Sequence, residues 1–243
     1  MSNLESIEES LKSFSETEKP SERLNLLRNF IELWYRPLGE EDGYCEEELT
    51  TLQIPYALRW FYRNLGRSKH FHSRQDSFLS PDRLEYLENN GLLFRAENQW
   101  CQVWAAKPGS NDSNDPAVYT SIGPDYSKAI DDSWEKVSET TTAFLLQSIV
   151  FEATVDPECG YFLQKADTKE DIEALLSQLD PLPLGCWDKN QAQGKMEFFY
   201  TQGNLFWLMR TGRNMCFQVA GMNWDCLTIF KDAKGMKWSR WDE

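Results

Sequence analysis

Histidine is nearly absent from this chain, with two in 243 residues, at positions 70 and 72. Their i, i+2 spacing would put both on one face of a strand, as paired metal ligands sit. No cysteine or carboxylate stands at helpful spacing, however, and the neighbours Arg67, Lys69 and Arg74 are cationic. His70 and His72 are read as surface or structural residues. The six cysteines (45, 101, 159, 186, 216 and 226) are scattered, with no two within five residues, which excludes a C-x-x-C pair and zinc-ribbon spacing. Cys101, Cys216 and Cys226 lie in apolar runs and are expected as small buried hydrophobes. All six are expected to be reduced, in a cytoplasmic compartment. Long apolar runs are missing too. The densest, Phe144 to Phe151, is broken by Gln147 and Ser148 and falls far short of the roughly 20 residues that cross a bilayer. The first residues, M-S-N-L-E-S-I-E-E-S, carry neither the basic start nor the apolar stretch of a secretion signal. Basic side chains are the minority: 25 Lys and Arg against 39 Asp and Glu give a formal charge of −14. Such a surface repels nucleic acid and anionic lipid, so neither is expected as a direct partner.

Catalytic signatures are equally scarce. The chain has no G-x-S-x-G, no P-loop and no G-x-G-x-x-G. Ser133-Trp-Glu-Lys136 matches S-x-x-K and Arg210-Thr-Gly loosely resembles K-T-G, but the S-D-N element between them is missing. Paired carboxylates are abundant only because acidic residues are, and nothing singles out a general acid and a base. The residues therefore point to no catalytic group, no metal and no cofactor. A hydrolase built on scattered carboxylates stands as the third reading, behind two kinds of binding protein.

What is present is material for a core: 41 % apolar and 14 % aromatic residues, with 10 Trp and 14 Phe. Ser2 and Glu5 have capping-box spacing ahead of Leu4, Ile7, Leu11 and Phe14, which predicts a short first helix. A second is expected from about Ser21 to Tyr35. Leu58, Phe61, Tyr62 and Leu65 recur at helical spacing after Pro55 at an N1-like position, with Gly66 as a left-handed cap. Leu92 to Ala106 reads as a hairpin turning at Glu97-Asn98-Gln99, and Ala117 to Ile122 as a strand. Another short strand is expected near Trp134, then an all-round apolar core helix capped by Ser138. Beyond residue 156 come a strand near Gly160, an amphipathic helix through Ile172, Leu175, Leu176 and Leu179, and four β-like runs. Those runs are M-E-F-F-Y, L-F-W-L-M-R, M-C-F-Q-V-A and D-C-L-T-I-F, spaced as an antiparallel meander.

Between Arg36 and Arg59 the chain carries Glu40, Glu41, Asp42, Glu46, Glu47 and Glu48 with no basic residue. Such a run is either a solvated loop or a docking patch for a basic partner, with Asp42, Glu46 and Glu47 as the candidate contacts. Trp100, Trp104, Trp134, Trp187, Trp207 and Trp224 are read as core residues, since most stand in strand-like runs. Trp238 and Trp241 either fold back or form a contact.

In their order along the chain, I-P-Y-A-L-R-W-F-Y-R-N-L-G, the hairpin with Glu97-Asn98-Gln99 and Trp104, D-P-A-V, and a closing helix rich in F-L resemble the SUKH superfamily. The likeness covers roughly residues 44–154. It rests on Pro55, Gly66, Glu97, Asn98, Trp104, Asp115 and Pro116, with Ala117 where the family has a second proline and Asn64-Leu65-Gly66 where it has N-G-G. The resemblance and the β-like runs beyond it together lead to the expected α+β fold: a mixed, mostly antiparallel sheet with helices packed on one side, extended by the C-terminal β-meander that the runs themselves predict. Residues 1–43 are expected as N-terminal helices, 44–154 as the SUKH-like core and 155–243 as a C-terminal α/β extension. Family members in bacteria are typically immunity proteins, so the resemblance implies a protein partner, a toxin domain such as a basic nuclease, bound without turnover. The alternative, suggested by eukaryotic relatives, is a regulatory or scaffold interaction module of the same fold.

Overall fold

The β-forming runs pair into two separate sheets. The computed structural model describes residues 3–71, 76–107, 114–123, 126–155, 158–184, 195–211, 214–231 and 233–240. Its helices are α1 (Asn3–Glu16), α2 (Pro20–Trp34), α3 (Glu46–Leu49), α4 (Tyr56–Leu65), α5 (Thr141–Val155), α6 (Lys169–Leu176) and α7 (Thr228–Lys231). The strands are β1 (Asp76–Phe78), β2 (Glu85–Tyr86), β3 (Leu92–Glu97), β4 (Gln102–Lys107), β5 (Ala117–Ile122) and β6 (Glu135–Ser138). They continue with β7 (Gly160–Ala166), β8 (Asp180–Pro181), β9 (Lys195–Thr201), β10 (Asn204–Thr211), β11 (Asn214–Gly221) and β12 (Met236–Arg240). The class is α+β. Residues 18–25 and 37–149 form one compact unit, and residues 1–17, 26–36 and 150–243 another. The first 43 residues are thus no segment of their own, because α1 and most of α2 group with the C-terminal residues. Ser2, whose capping box was expected to start α1, lies outside the described residues.

In the unit of residues 37–149 the strand order is β1-β3-β4-β5-β6, with β2 also on β3, and every pair is antiparallel. The mixed sheet that was expected is therefore wholly antiparallel among the described residues. Helix α4 forms as its spacing dictates: Leu58, Phe61, Tyr62 and Leu65 are all 0 % exposed. Phe61 meets Phe78 of β1 at 4.1 Å between ring centroids, and Phe144 of α5 stands edge-on to Phe94 of β3 at 5.6 Å. Both helices thus lie on one face of the sheet. The other face is covered without helices, by Leu79, Leu87, Ile130 and Trp134 packed on Leu93, Val103 and Ala105. A bulge in β3 links the two cores: Leu93 lies opposite Ala105 but Arg95 lies opposite Trp104. The extra residue lets consecutive Phe94 and Arg95 both reach the helix side.

Local expectations fail where a neighbour decides the geometry. Gly66 ends α4 with φ −61° and ψ −13°, right-handed, so it is no left-handed cap. Its role is close approach, since a Cβ there would come within 2.8 Å of the Tyr44 ring. Pro55 is the N-cap of α4, one position before N1. Helix α5 begins at Thr141, and Ser138 belongs to β6.

The C-terminal strands make their own sheet, in the order β12-β7-β11-β10-β9-β8, with β9, β10 and β11 as a meander. Its core gathers Leu175, Leu179, Phe206, Leu208, Phe217, Val219, Leu227 and Phe230. The run D-C-L-T-I-F is not a fourth strand but a turn leading into α7. Leu227 and Phe230 are both buried, and their i, i+3 spacing suits one helical turn rather than a strand's alternation. Helix α6 starts at a capping box of Thr168 and Asp171. Cys101 and Cys216 are exposed and Cys226 half-buried, so these are not the buried hydrophobes expected from their runs. Strand alternation explains Cys216, which follows half-buried Met215 and precedes buried Phe217. No helix among the described residues is long and apolar enough to cross a membrane.

Candidate protein-binding surface

The acidic run folds into two short turns against α4, and this neutralises much of it. Asp42 is 2 % exposed. Its carboxylate accepts the Gly39 N–H at 2.9 Å, and its backbone carbonyl accepts the Arg67 N–H at 2.9 Å. Asp42 is therefore not a partner contact but a clamp between the 39–44 loop and the end of α4. Glu46 is exposed, yet it accepts from Arg59 and Arg63, each at 3.1 Å. Glu48 pairs with Arg67 and also accepts the Cys45 N–H at 2.9 Å, closing the first turn of α3. Those backbone and thiol hydrogen bonds, reinforced by Arg67, hold the Glu48 carboxyl below the ordinary carboxylate value. Arg59 also donates to the carbonyls of Leu49 and Leu52 at 3.2 and 2.8 Å, capping the C-terminus of α3. Glu40 and Glu47 keep exposed carboxylates with no ion pair among the described residues.

Aromatic side chains continue this surface. Tyr44 donates its N–H to the Tyr62 carbonyl at 2.9 Å, and Arg67 stacks over its ring at 4.5 Å. Burial raises the Tyr44 hydroxyl pKa, against the pull of Arg67. Tyr86 is 51 % exposed, and its hydroxyl accepts the Gln53 N–H at 3.1 Å. Tyr56, 43 % exposed, opens α4 three residues beyond Gln53. Tyr44 and Tyr86 are thus each tied by a hydrogen bond, Tyr44 beside Arg67 and Tyr86 beside Gln53. Tyrosine and arginine are the residue types that dominate binding energy at interfaces.

Asp115, Pro116 and Trp104, among the residues that carry the resemblance, make buried contacts within the fold. Asp115 is buried and accepts twice from Thr142, from its N–H at 2.8 Å and its hydroxyl at 2.7 Å. Asn114 offers its carbonyl to the Ala57 N–H of α4 at 3.2 Å, and Pro116 offers its carbonyl to the Thr141 hydroxyl at 2.7 Å. Three consecutive residues thus satisfy the starts of two helices, whose first N–H groups have no partner within the helix. Glu97 folds over its own turn, accepting the Gln99 N–H at 2.9 Å. Asn98 is exposed at the tip of that turn, and Trp104 is fully buried against Phe144. Neither family model nor curated protein nor solved structure matches the chain.

The side chains of the S-x-x-K pattern have other partners. Ser133 donates to Asp131, while Lys136 is bound by Glu139 at 2.8 Å. His70 is exposed, and His72 lies outside the described residues, as do Trp187, Trp241 and Gly212. No three His, Cys, Asp or Glu side chains among the described residues gather as a metal shell. The Cys45 thiol takes a backbone N–H from Glu48 that would lower its pKa, but the Glu47 and Glu48 carboxylates outweigh it and raise the value. Trp104, Trp134 and Trp207 are buried, whereas Trp224 is 37 % exposed and stacks with Arg240 at 4.6 Å. Trp238 packs on Phe217 at 5.8 Å.

Sequence reasoning overlooked the arginines. Arg59, Arg63 and Arg67 recur every fourth residue, the spacing of one helical edge, and that periodicity was the available signal. Arg95 was overlooked as well. It is 0 % exposed, bonded to Asp76 at 3.4 Å and to the Ser148 hydroxyl, and enclosed by Phe78, Trp104 and Phe144 at 5.0, 5.3 and 5.8 Å.

Proposed function

We propose that this chain is a protein-binding module and that residues 44–154 act as a SUKH-type immunity module, neutralising a toxin domain in the cytoplasm. The observation that carries the reading is the meeting of its motifs. Asn114-Asp115-Pro116 joins the start of the I-P helix to the start of the F-L helix. Sequence motifs used this way specify a scaffold and leave the surface free to vary with the partner. The face bearing Tyr44, Tyr56, Tyr86 and the Glu46–Arg59–Arg63 ladder is the contact surface in this account. Its exposed Glu40 and Glu47, within a chain of charge −14, favour a basic partner such as a nuclease. Inhibition would follow from covering the toxin's active surface, with no bond made or broken.

Growth rescue tests this reading. Candidate toxin domains, nucleases first, are expressed in bacteria with and without this chain. Rescue by the wild type that is lost with Tyr86→Ala and Arg67→Glu supports the surface. Full rescue by both variants refutes the surface, and no rescue by the wild type refutes the immunity reading.

A further inference from the structure

Asp171 and Lys234 bring opposite charges to one cleft of the C-terminal unit, and no ion pair joins them. The cleft, about 540 Å³, opens between α6, α7 and the turn joining β9 to β10. That volume falls within the roughly 300–1,000 Å³ of ordinary small-molecule sites. Its inner wall is the outer edge of the core, made by Leu175, Leu179, Phe230 and Met236. Among the described residues, Asp171 and Lys234 are the only charged side chains in the lining.

Both charges are open to a ligand. Asp171 Oδ2 accepts the Thr168 N–H at 3.1 Å and its hydroxyl at 2.7 Å. Asp171 Oδ1 accepts no hydrogen bond among the described residues. The turn between α7 and β12 runs close against this carboxylate. A Cβ on Gly235 would stand 2.5 Å from the Asp171 carboxyl carbon, and only glycine takes its φ of 75° without strain. Lys234 precedes that glycine, so its Cα lies about 3.8 Å from the point of contact. It is exposed and forms no ion pair among the described residues. Gln202 lines the same cleft from the hairpin turn, with φ 45° followed by Gly203 at 80°. A two-residue turn of that pattern favours Asn, Asp or Gly in first place, so Gln202 is held in strain, and strained residues cluster at ligand clamps.

From this arrangement we infer that the cleft binds a free α-amino acid with a large apolar side chain. Such a ligand carries its ammonium and its carboxylate on one carbon, which suits one acid and one base at a single apolar cavity. The ammonium donates to Asp171 Oδ1, the carboxylate accepts from Lys234, and the side chain rests on Leu175, Leu179, Phe230 and Met236. A ligand with one charge answers only one of the two groups. The inference goes beyond the immunity reading and does not depend on it, since every lining residue belongs to the other unit.

The test titrates the full chain calorimetrically with L-phenylalanine, with 3-phenylpropionate, which lacks the ammonium, and with phenethylamine, which lacks the carboxylate. The inference predicts saturable one-to-one binding of L-phenylalanine, and each truncated ligand at least about tenfold weaker for its lost charged hydrogen bond. Asp171→Asn should weaken L-phenylalanine at least about tenfold and leave 3-phenylpropionate unchanged. Lys234→Met should weaken both carboxylates by a like factor and leave phenethylamine unchanged. No saturable binding up to about 10 mM L-phenylalanine would overturn the inference. Equal affinity for 3-phenylpropionate would overturn it in favour of a simple carboxylate site. Weakening of all three ligands alike by Lys234→Met, whose side chain is exposed, or affinities untouched by both substitutions, would overturn it as well.

Discussion

The Asp115 carboxylate and Thr142 are joined by two hydrogen bonds, one to the backbone N–H and one to the hydroxyl, at 2.8 and 2.7 Å. They are 27 residues apart in the chain. Asp115→Ala leaves the first turn of α5 without this acceptor in a buried setting. The expected loss is about 1–3 kcal/mol in urea unfolding, with α4 also loosened because Asn114 caps it from the next position. A change under about 0.5 kcal/mol would mean that α5 is capped otherwise.

The same carboxylate sets a pH dependence. Burial raises the Asp115 pKa, outweighing the Thr142 hydrogen bonds and the attraction of Arg23. A folded value above the unfolded one means that the folded state holds this proton more tightly. Its contribution to stability is full below the ordinary value of 3.8 and is lost as pH rises through the raised folded value. Asp115→Asn removes that dependence. The stability of the wild type relative to Asp115→Asn should fall as pH rises across this window and then level off. A relative stability that grows with pH would show the hydrogen bonds prevailing over burial.

Arg95 and Asp76 form a buried ion pair, and removing the carboxylate takes away one of the groups that hold the buried guanidinium. Asp76→Ala should cost about 3–5 kcal/mol, while adding Arg95→Met should recover much of that loss. A double-mutant cycle by chemical denaturation measures the coupling. Additive effects of the two substitutions would show that the aromatic rings and Ser148, rather than Asp76, hold the guanidinium.

Glu46 and Glu47 are neighbours with different duties. Glu47→Lys removes an exposed carboxylate that makes no ion pair among the described residues, so it should slow association with a basic partner severalfold at low salt and leave stability within about 0.5 kcal/mol. Glu46→Lys sets a third cation against Arg59 and Arg63 and should lower the melting temperature. Stopped-flow association and thermal melts separate the two. Equal kinetic effects without any stability difference would contradict the pairing.

Periodicity carried the helices well. The Leu58–Phe61–Tyr62–Leu65 stripe and the hairpin around Glu97 stand where their spacing put them, because each is set by contacts within its own element. What escaped is set by distant chain. The arginines that neutralise Glu46 and Glu48 come 13 to 19 residues later. The burial of Arg95 depends on a bulge, which no alternation pattern reveals. Residues 225–230 were mistaken for a strand because a short apolar run fits either period until its neighbours choose. For the acidic run, charge counting along the chain found the carboxylates, but only the fold shows which of them remain uncovered.

The central claim is that the face around Tyr86 closes on a toxin. Calorimetric titration of this chain against the toxin domain whose growth arrest it relieves tests it most directly. The account predicts a one-to-one complex that abolishes toxin activity and that Tyr86→Ala weakens by about 2 kcal/mol or more. Heat no greater than dilution at about 10 μM, or a complex indifferent to Tyr86→Ala and Arg67→Glu alike, would contradict it.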